Sequence, residues 1–310
     1  MTRAKISQRK QGKYFKRKYE RIHVMFVPRK ILEEKLKQML AEDIGLGDVT
    51  TAAVVPPGLT VDAVIKAKEA GTAAGVEEGV ILAESLGLNV TAEVVDGEEF
   101  GKGQVIMKIS GDARTVLSAE RTILNLVSRM SGIASTTKGL TEKLKKAKAR
   151  AKIAATRKTA PGLLYFDKKA VLIGGGDPHR LNLSDMILVK DNHITLAGSV
   201  KKAVESAKRN ASVSKKIEVE VAKVTDALEA ARAGADIIML DNFSPGQVKR
   251  AVESLKKAGF FGRILVEASG GITKENILEY ASTQVDIISL GELTHSVKAL
   301  DISLEITRAN

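Results

Sequence analysis

The first 130 residues mix two hydrophobic periods. Apolar residues from 31 to 40 recur at helical spacing, which predicts a helix that ends near 43–45. Further helical patterns cover 75–86 and about 113–130. Apolar and polar residues alternate instead over three short segments, which predicts strands with a turn at Asp96–Gly97: 61–68, 90–95 and 104–109. The pattern predicts a small α/β domain with antiparallel strands.

After residue 149 the pattern changes to short, continuous apolar runs that alternate with helical segments. The six runs are 153–155, 186–189, 217–221, 237–240, 264–268 and 286–290. The helical patterns are about 198–209, 225–233, 245–258 and 274–281. Apolar strands that alternate with helices are typical of a parallel sheet covered by helices, and six such units favour a closed barrel. A G-x-G-x-x-G motif is missing after the first of these strands, which argues against a dinucleotide-binding domain.

Polar or glycine residues follow most of these strands. They are Thr156–Arg157–Lys158, Lys190, Glu220, Asp241, Ser269–Gly270–Gly271, and Ser289 with Gly291. Any one of them is more commonly a solvated charge or a helix cap. The C-terminal ends of barrel strands meet at one face, where barrel enzymes carry their active sites. Taken together, the residues therefore predict a single site.

The residue types suggest what that site binds. Backbone N–H groups of glycine-rich turns after the last strands can hold a phosphate. Glu220 and Asp241 offer carboxylate oxygens suited to Mg²⁺ on a phosphorylated substrate. The cations require a multiply anionic partner and include side chains that match planar carboxylates; they are Arg157, Lys158, His179, Arg180 and Lys190. We expect a metal-bound phosphate or pyrophosphate next to an acidic small molecule.

The net charge of +12 suggests nucleic acid until its distribution is considered. Residues 1–24 hold nine Lys or Arg and one acid, so they carry eight of the twelve net charges. We interpret 1–26 as a basic, disordered extension, with Met25 as an alternative start. Its Tyr14, Phe15 and Tyr19 keep open a second interpretation, a nucleic-acid binder that acts through this tail. The extension lacks the features of a secretory signal, and we expect a cytoplasmic protein.

Composition excludes several classes of protein. With no cysteine in the chain, disulfides, thiolate catalysis, iron–sulfur clusters and cysteine-ligated zinc are impossible. Apolar residues make up 44% and charged residues 28%, which are ordinary globular values. The aromatic content of 4%, without tryptophan, argues against a base-stacking platform.

Nine strings in order along the chain resemble one family closely, the nicotinate-nucleotide pyrophosphorylases (carboxylating), or quinolinate phosphoribosyltransferases. They are AEDIGLGDVTT (41–51), SAERTILN (118–125), ATRKTAPG (155–162), GGGDPHR (174–180), LVKDNHI (188–194), IEVEV (217–221), IIMLDN (237–242), VEASGGI (266–272) and DIISLGELTHS (286–296). The resemblance implies an N-terminal α/β open sandwich, placed at 27–130. It also implies an incomplete, seven-stranded TIM-like α/β barrel at 131–310, whose last strand or tail can return to the sandwich.

The resemblance also implies an activity and a homodimer or dimer-based oligomer. The family are pentosyltransferases that convert quinolinate and phosphoribosyl pyrophosphate, with Mg²⁺, into nicotinate mononucleotide, pyrophosphate and CO₂ in de novo NAD biosynthesis. Two rivals stay open: a homologous transferase associated with molybdenum transport, and nicotinate phosphoribosyltransferase. The HR pair at 179–180 and the GDVTT string at 47–51 favour the quinolinate enzyme over the first of these.

Roles carried over by resemblance fall on the residues already singled out. The quinolinate carboxylates would contact Arg157, His179, Arg180 and Lys190, with Thr156 and Lys158 beside them. Glu220 and Asp241 would contact the ribose hydroxyls and Mg²⁺, and they and Lys158 would be the catalytic residues. The 5′-phosphate would bind Ser269, Gly270, Gly271 and Gly291.

Three other positions are less clear. Arg121 would enter the site from the neighbouring subunit, yet its spacing from Leu117 and Leu124 also places it on the apolar stripe of its helix. Ala160 and Leu164 stand where family members often show threonine and arginine. Loss of that arginine would remove one cation from the rim of the pocket and affect substrate closure, and we expect Tyr165–Phe166 to replace it by packing.

Overall fold

The computed structural model describes residues 27–310, which form two large sheets of different type and a third sheet of two short strands. The interpretation of 1–26 as a disordered extension lies outside these residues. The first sheet is antiparallel, in the order β12-β1-β5-β3. The N-terminal elements are α1 (Arg29–Ile44), α2 (Val49–Val54), β1 (Thr60–Ala67), β2 (Gly71–Thr72), α3 (Val76–Ser85), β3 (Asn89–Ala92), β4 (Glu99–Phe100), β5 (Val105–Asp112) and α4 (Ala113–Lys146). The last strand is β12 (Ile302–Ala309), so the end of the chain pairs with β1.

The second sheet is parallel, in the order β6-β11-β10-β9-β8-β7. Its elements are β6 (Lys152–Ala155), α5 (Leu164–Ile173), β7 (Ile187–Val189), α6 (Asp191–Ala197), α7 (Val200–Asn210), β8 (Ile217–Val221), α8 (Val224–Ala233), β9 (Ile237–Asp241), α9 (Pro245–Lys257), β10 (Leu265–Ser269), α10 (Ile277–Ala281), β11 (Ile287–Leu290) and α11 (Glu292–His295). The six predicted apolar runs are these six strands, and the predicted α/β fold class is confirmed.

The resemblance implied seven barrel strands, and the seventh position is reduced to one bridge. Asp177 pairs with Ala154 as an isolated parallel bridge, and its N–H donates to the Ile153 carbonyl at 2.7 Å. Gly174–Gly176 precede this point and Pro178, which has no N–H to donate, follows it. The segment therefore cannot extend into a strand, and the sheet is an open barrel.

Helix α4 is much longer than its pattern predicted. The sequence places its end near Met130, but the helix continues to Lys146 and so crosses the expected domain boundary at 130–131. Ser131, the first residue beyond the predicted end, is buried and exchanges hydrogen bonds with the backbone of Ala74. At Gly132 a Cβ would collide with the Lys298 carbonyl and lie 3.1 Å from the Cα of Ala299. The helix needs glycine there because the segment that leads to β12 crosses it.

This crossing predicts opposite effects for two glycines of the same helix. Gly132→Ala is expected to destabilise the fold by about 2–3 kcal/mol, since the added methyl meets backbone that cannot rotate away. Gly139→Ala is the matched control: a Cβ there meets nothing within 4 Å, so better helix propensity should add up to about 1 kcal/mol. Urea unfolding of both variants measures the difference. Equal effects of the same sign would contradict the packing described.

A buried ion cluster joins α5 to the N-terminal domain. The Lys169 ammonium lies 2.7 Å from a carboxylate oxygen of Glu78 and 3.8 Å from one of Asp96, and it also donates to Glu77. Burial raises the pKa of Glu78, and it raises the pKa of Asp96 to about 7. Burial also opposes the charge on Lys169, but the three carboxylates outweigh it and raise the pKa of that ammonium.

Within residues 27–310, the helices include none with the length and apolar character needed to cross a membrane.

Candidate active site

One cavity of about 470 Å³ opens at the C-terminal ends of the parallel strands. It collects most of the residues singled out from the sequence, namely Thr156, Arg157, Lys158, His179, Arg180, Lys190, Glu220, Asp241, Ser269, Gly270 and Gly271. Arg121 and Gly291 are not among the lining residues. The sequence pattern did not identify four polar residues that lie at or just below this surface, which are Asn242, Glu267, Glu218 and Lys168. The roles assigned by resemblance stay predictions.

Hydrogen bonds from neighbouring helices hold the loop after β6 in place. The hydroxyl of Thr294 donates to the Lys158 carbonyl at 2.8 Å, and Arg129 donates to the Thr294 carbonyl at 2.9 Å. The same guanidinium holds the buried Asp167 of α5 with two hydrogen bonds of 2.7 and 2.8 Å. Arg157 and Lys158 therefore project from a backbone that is linked to three helices, α11, α4 and α5, which reduces the entropy lost when they bind an anion.

Two guanidinium groups share the cationic side of the cavity. Burial lowers the pKa of Arg180, and the positive charge of Arg157 lowers it further. Behind them, the Lys168 ammonium donates to the Pro178 carbonyl, and burial lowers its pKa to about 8. Like charges held this close are favourable only when an anion lies between them, so this side is built for carboxylate or phosphate.

The acidic side lies on adjacent strands. Glu220, from β8, accepts a hydrogen bond of 2.7 Å from the Lys190 ammonium. Asp241, from β9, accepts one of 2.6 Å from the Asn242 amide, so Asn242 orients this carboxylate. Burial raises the pKa of Asp241, and the negative charge of Glu220 raises it further. His193 braces the backbone here, because its Nδ1 accepts a hydrogen bond of 3.0 Å from the Lys190 N–H.

These carboxylates fit a magnesium ion that is shared with a substrate. Two oxygen ligands whose charges repel each other attract a divalent cation. Within residues 27–310, the clusters of three or more side chains that could together bind a metal ion lie elsewhere, one around His179 and one around Lys169. Mg²⁺ at Glu220 and Asp241 would therefore need phosphate oxygens and water to complete its coordination, which is its usual mode of binding.

The glycine-rich turn after β10 presents its backbone to the cavity. Gly270 has φ +87°, and a Cβ there would collide with the Asn242 side chain. Asn242 itself adopts φ +56° and donates its N–H to the Ser269 carbonyl at 2.9 Å. At Gly271 a Cβ would meet nothing within 4 Å. Gly291 lies nearby, where a Cβ would come within 3.3 Å of the Lys158 side chain.

Arg121 is on the surface of α4, and its side chain is 64% exposed. The expectation that it lies on the apolar stripe of the helix with Leu117 and Leu124 is wrong, because Leu124 is buried whereas Arg121 is exposed. Its nearest carboxylate is that of Glu120, at 3.9 Å. An exposed, weakly paired guanidinium is free to contact another molecule.

The segment with the two departures from the family pattern lies beside the cavity. Leu164 begins α5, and Phe166 is fully buried, with its ring 5.2 Å from the Lys35 ammonium and edge-on to Tyr165. Phe166 therefore packs in the core. Neither Tyr165 nor Phe166 lines the cavity, so the expectation that they replace the missing arginine at its rim is not supported.

The position of the cavity, at the C-terminal strand ends of an open α/β barrel, is where barrel enzymes carry their active sites, and its lining suits small, multiply anionic substrates. The chain belongs to the quinolinate phosphoribosyltransferase family: the model of its N-terminal domain matches residues 48–131, and that of its C-terminal domain matches residues 133–305.

Similar proteins cover nearly the whole chain. A probable nicotinate-nucleotide pyrophosphorylase (carboxylating) of Methanothermobacter thermautotrophicus is 43% identical over 87% of this chain and 97% of its own length. One from Methanocaldococcus jannaschii is 46% identical over 88% of this chain and 96% of its own length. The crystal structure of NadC from Streptococcus pyogenes superposes with a TM-score of 0.83 at 37% identity, over 92% of this chain and 99% of that one.

Proposed function

We propose that this chain is a quinolinate phosphoribosyltransferase of NAD biosynthesis. It would convert quinolinate and phosphoribosyl pyrophosphate into nicotinate mononucleotide, pyrophosphate and CO₂. The name carboxylating pyrophosphorylase describes the reverse of this reaction. The observation that carries the proposal is the convergence of five cations on one cavity that also holds two carboxylates; the cations are Arg157, Lys158, His179, Arg180 and Lys190. Quinolinate presents two adjacent carboxylates on a pyridine ring, and phosphoribosyl pyrophosphate adds phosphates.

The cationic side would hold quinolinate. Arg157 and Arg180 are the forked donors that match a carboxylate bidentately, and His179 lies beside them. Lys190 contacts Glu220 in the structure, but an ammonium has three donors and can keep that contact while it binds a substrate anion. The phosphoribosyl group would then lie towards Glu220, Asp241 and the glycine turn.

Glu220 and Asp241 would act on the ribose. Positive charge develops on the ring as the bond from C1 to pyrophosphate breaks, and fixed carboxylates stabilise it by preorganised electrostatics. Lys158 would stabilise the negative charge of the departing pyrophosphate. Mg²⁺, when bound by Glu220 and Asp241 with the substrate, would supply charge neutralisation to the pyrophosphate.

Bond formation then needs no protein nucleophile. The pyridine nitrogen attacks C1 and becomes cationic, which stabilises the electron pair left on the adjacent carbon when its carboxylate departs as CO₂. That carbon takes up a proton to give nicotinate mononucleotide. The residues of the chain position the two substrates and release one carboxylate from a tight site.

We further propose a homodimer or dimer-based assembly in which Arg121 of one subunit completes the site of the other. An exposed guanidinium without a close partner supports this arrangement. The cytoplasmic location stays a prediction.

The assay that tests the function supplies quinolinate labelled in the carboxylate next to the ring nitrogen, with phosphoribosyl pyrophosphate and Mg²⁺. Labelled CO₂ and nicotinate mononucleotide are expected in equal amounts. Nucleotide from nicotinate, without CO₂ from quinolinate, would instead identify a nicotinate phosphoribosyltransferase. Removal of residues 1–24 is expected to leave turnover intact. Loss of turnover, with RNA binding retained by the tail alone, would favour the nucleic-acid alternative.

A further inference from the structure

The floor of the cavity contains two carboxylates where a barrel interior usually carries apolar side chains. Glu218 and Glu267 belong to β8 and β10, and each has no exposed surface. They lie two residues before Glu220 and Ser269 on the same strands, so they occupy the layer beneath the cavity surface. Burying a carboxylate is costly unless a cation compensates for it.

The compensating cation is His179. Its Nε2 lies 3.2 Å from an oxygen of Glu267 and 3.4 Å from an oxygen of Glu218. Within residues 27–310, both oxygens of Glu218 and the second oxygen of Glu267 are buried without a hydrogen-bond partner, so His179 forms a hydrogen bond with Glu267 and an ion pair with Glu218. The imidazole is therefore the main compensation that the two acids have, and it also lines the cavity.

The backbone of His179 is held in the conformation that this contact needs. The residue has φ +53°, its N–H donates to the Asp177 carboxylate at 2.7 Å, and the Pro178 carbonyl accepts from the buried Lys168. A left-handed residue other than glycine costs energy and persists where neighbours impose it. The loop is thus fixed at several points with the ring turned into the barrel.

We propose that Glu267 is a positioning residue, which keeps the His179 side chain cationic and oriented towards an anionic group in the cavity. The inference rests on the proposed function, since it takes that group to be a carboxylate of quinolinate. Burial alone would lower the pKa of His179, but its interactions with the Glu218 and Glu267 carboxylates outweigh burial and raise the pKa to about 10. The imidazole would then stay charged across the physiological pH range.

Glu267→Gln tests this role because it keeps the shape of the side chain and removes its charge. We expect the pKa of His179 to fall by roughly 1–3, the usual effect of losing one opposite charge at this distance. At pH 9 the KM for quinolinate should then rise about tenfold relative to wild type, with little change in kcat or in the KM for phosphoribosyl pyrophosphate. At pH 7 the difference should nearly vanish.

The direct readout is an NMR pH titration of the histidine side chains. The chain has four histidines, so comparison with His179→Gln assigns the resonance. Glu267→Asp, which keeps the charge, should restore much of the high pKa. Glu78→Gln is the matched control, because Glu78 is equally buried but belongs to the Lys169 cluster, and it should leave the pKa of His179 unchanged.

The outcomes separate this inference from the proposed function. If wild type turns over quinolinate but His179 titrates near 6.5, Glu267 has no such role. The same follows if Glu267→Gln leaves both the titration and the pH dependence unchanged, or if added Mn²⁺ alone broadens the His179 resonance through a metal site in this cluster. If wild type shows no turnover while the titration behaves as expected, the function is wrong and the charge arrangement stands. Should Glu267→Gln fail to fold, the wild-type titration alone decides.

Discussion

Arg157→Ala is expected to lower kcat/KM for quinolinate by about 10²–10³-fold at pH 7.5, if the proposed function holds. Removing one member of a hydrogen-bonded charge pair in a desolvated site costs about 2–5 kcal/mol, and a 10²–10³-fold loss, about 3–4 kcal/mol, lies within that range. Arg157 projects from the fastened loop after β6 and lies close enough to Arg180 to lower its pKa. The loss should therefore appear in kcat/KM for quinolinate, and steady-state kinetics with each substrate varied in turn measures it.

Arg157→Lys distinguishes charge from geometry. Lysine keeps the positive charge but lacks the planar fork, so we expect it to recover only part of the lost kcat/KM. Full activity of Arg157→Lys would show that charge alone matters at this position. A wild-type KM for quinolinate in Arg157→Ala would remove Arg157 from the substrate site.

Mixing variants extends this prediction to the dimer. In a hybrid of an Arg121→Ala subunit with an Arg157→Ala subunit, one of the two sites has its own Arg157 and a partner that supplies an intact Arg121. With random exchange of subunits in a two-fold dimer, about a quarter of wild-type activity should return. The two inactive variants mixed without subunit exchange serve as the control. If no activity returns after exchange, Arg121 does not cross the interface.

The site could be predicted from the sequence because parallel strands place their C-terminal ends at one face. Glu220 and Asp241 lie far apart along the chain, yet each follows a short apolar run, and that signal sufficed to bring them together. The residues beneath the surface gave no such signal. Glu267 and Glu218 lie inside strands, where the sequence pattern predicts that a polar residue faces solvent. In the barrel both faces of the sheet are covered, so these two carboxylates are buried.

Helix α5 was missed for a related reason. Asp167, Lys168 and Lys169 are consecutive charged residues, and such a run predicts a solvated loop. In the structure all three are buried, and each has its own partner: Arg129, the Pro178 carbonyl and the acidic cluster of the N-terminal domain. Residues 166–171 are all buried, so the helix has no solvent-exposed face along them and hydrophobic periodicity cannot detect it. Partners from other elements compensate its charged residues, and the sequence pattern does not show those partners.

Lys169→Met is expected to destabilise the fold by about 3–5 kcal/mol at pH 8. The substitution keeps the volume of the side chain but leaves Glu78 and Asp96 buried without their cation, and breaking a buried pair in this way carries a cost of that size. The cluster joins α5 to α3 and to the turn that carries Asp96. Urea unfolding followed by circular dichroism measures the loss.

The pH dependence of Lys169→Met identifies the cause of its instability. Folding already raises the pKa of Asp96 from 3.8 to about 7, so the folded state binds more protons than the unfolded state between these values, and stability falls as pH rises through them. Without Lys169 the pKa values of Glu78 and Asp96 rise further, which extends this window above pH 7. The deficit should therefore be smallest near pH 5 and should grow towards pH 8. Lys138→Met, which breaks the exposed pair with Glu99, should stay close to wild type at every pH. A deficit that does not change with pH would mean that lost packing, and not uncompensated charge, destabilises the variant.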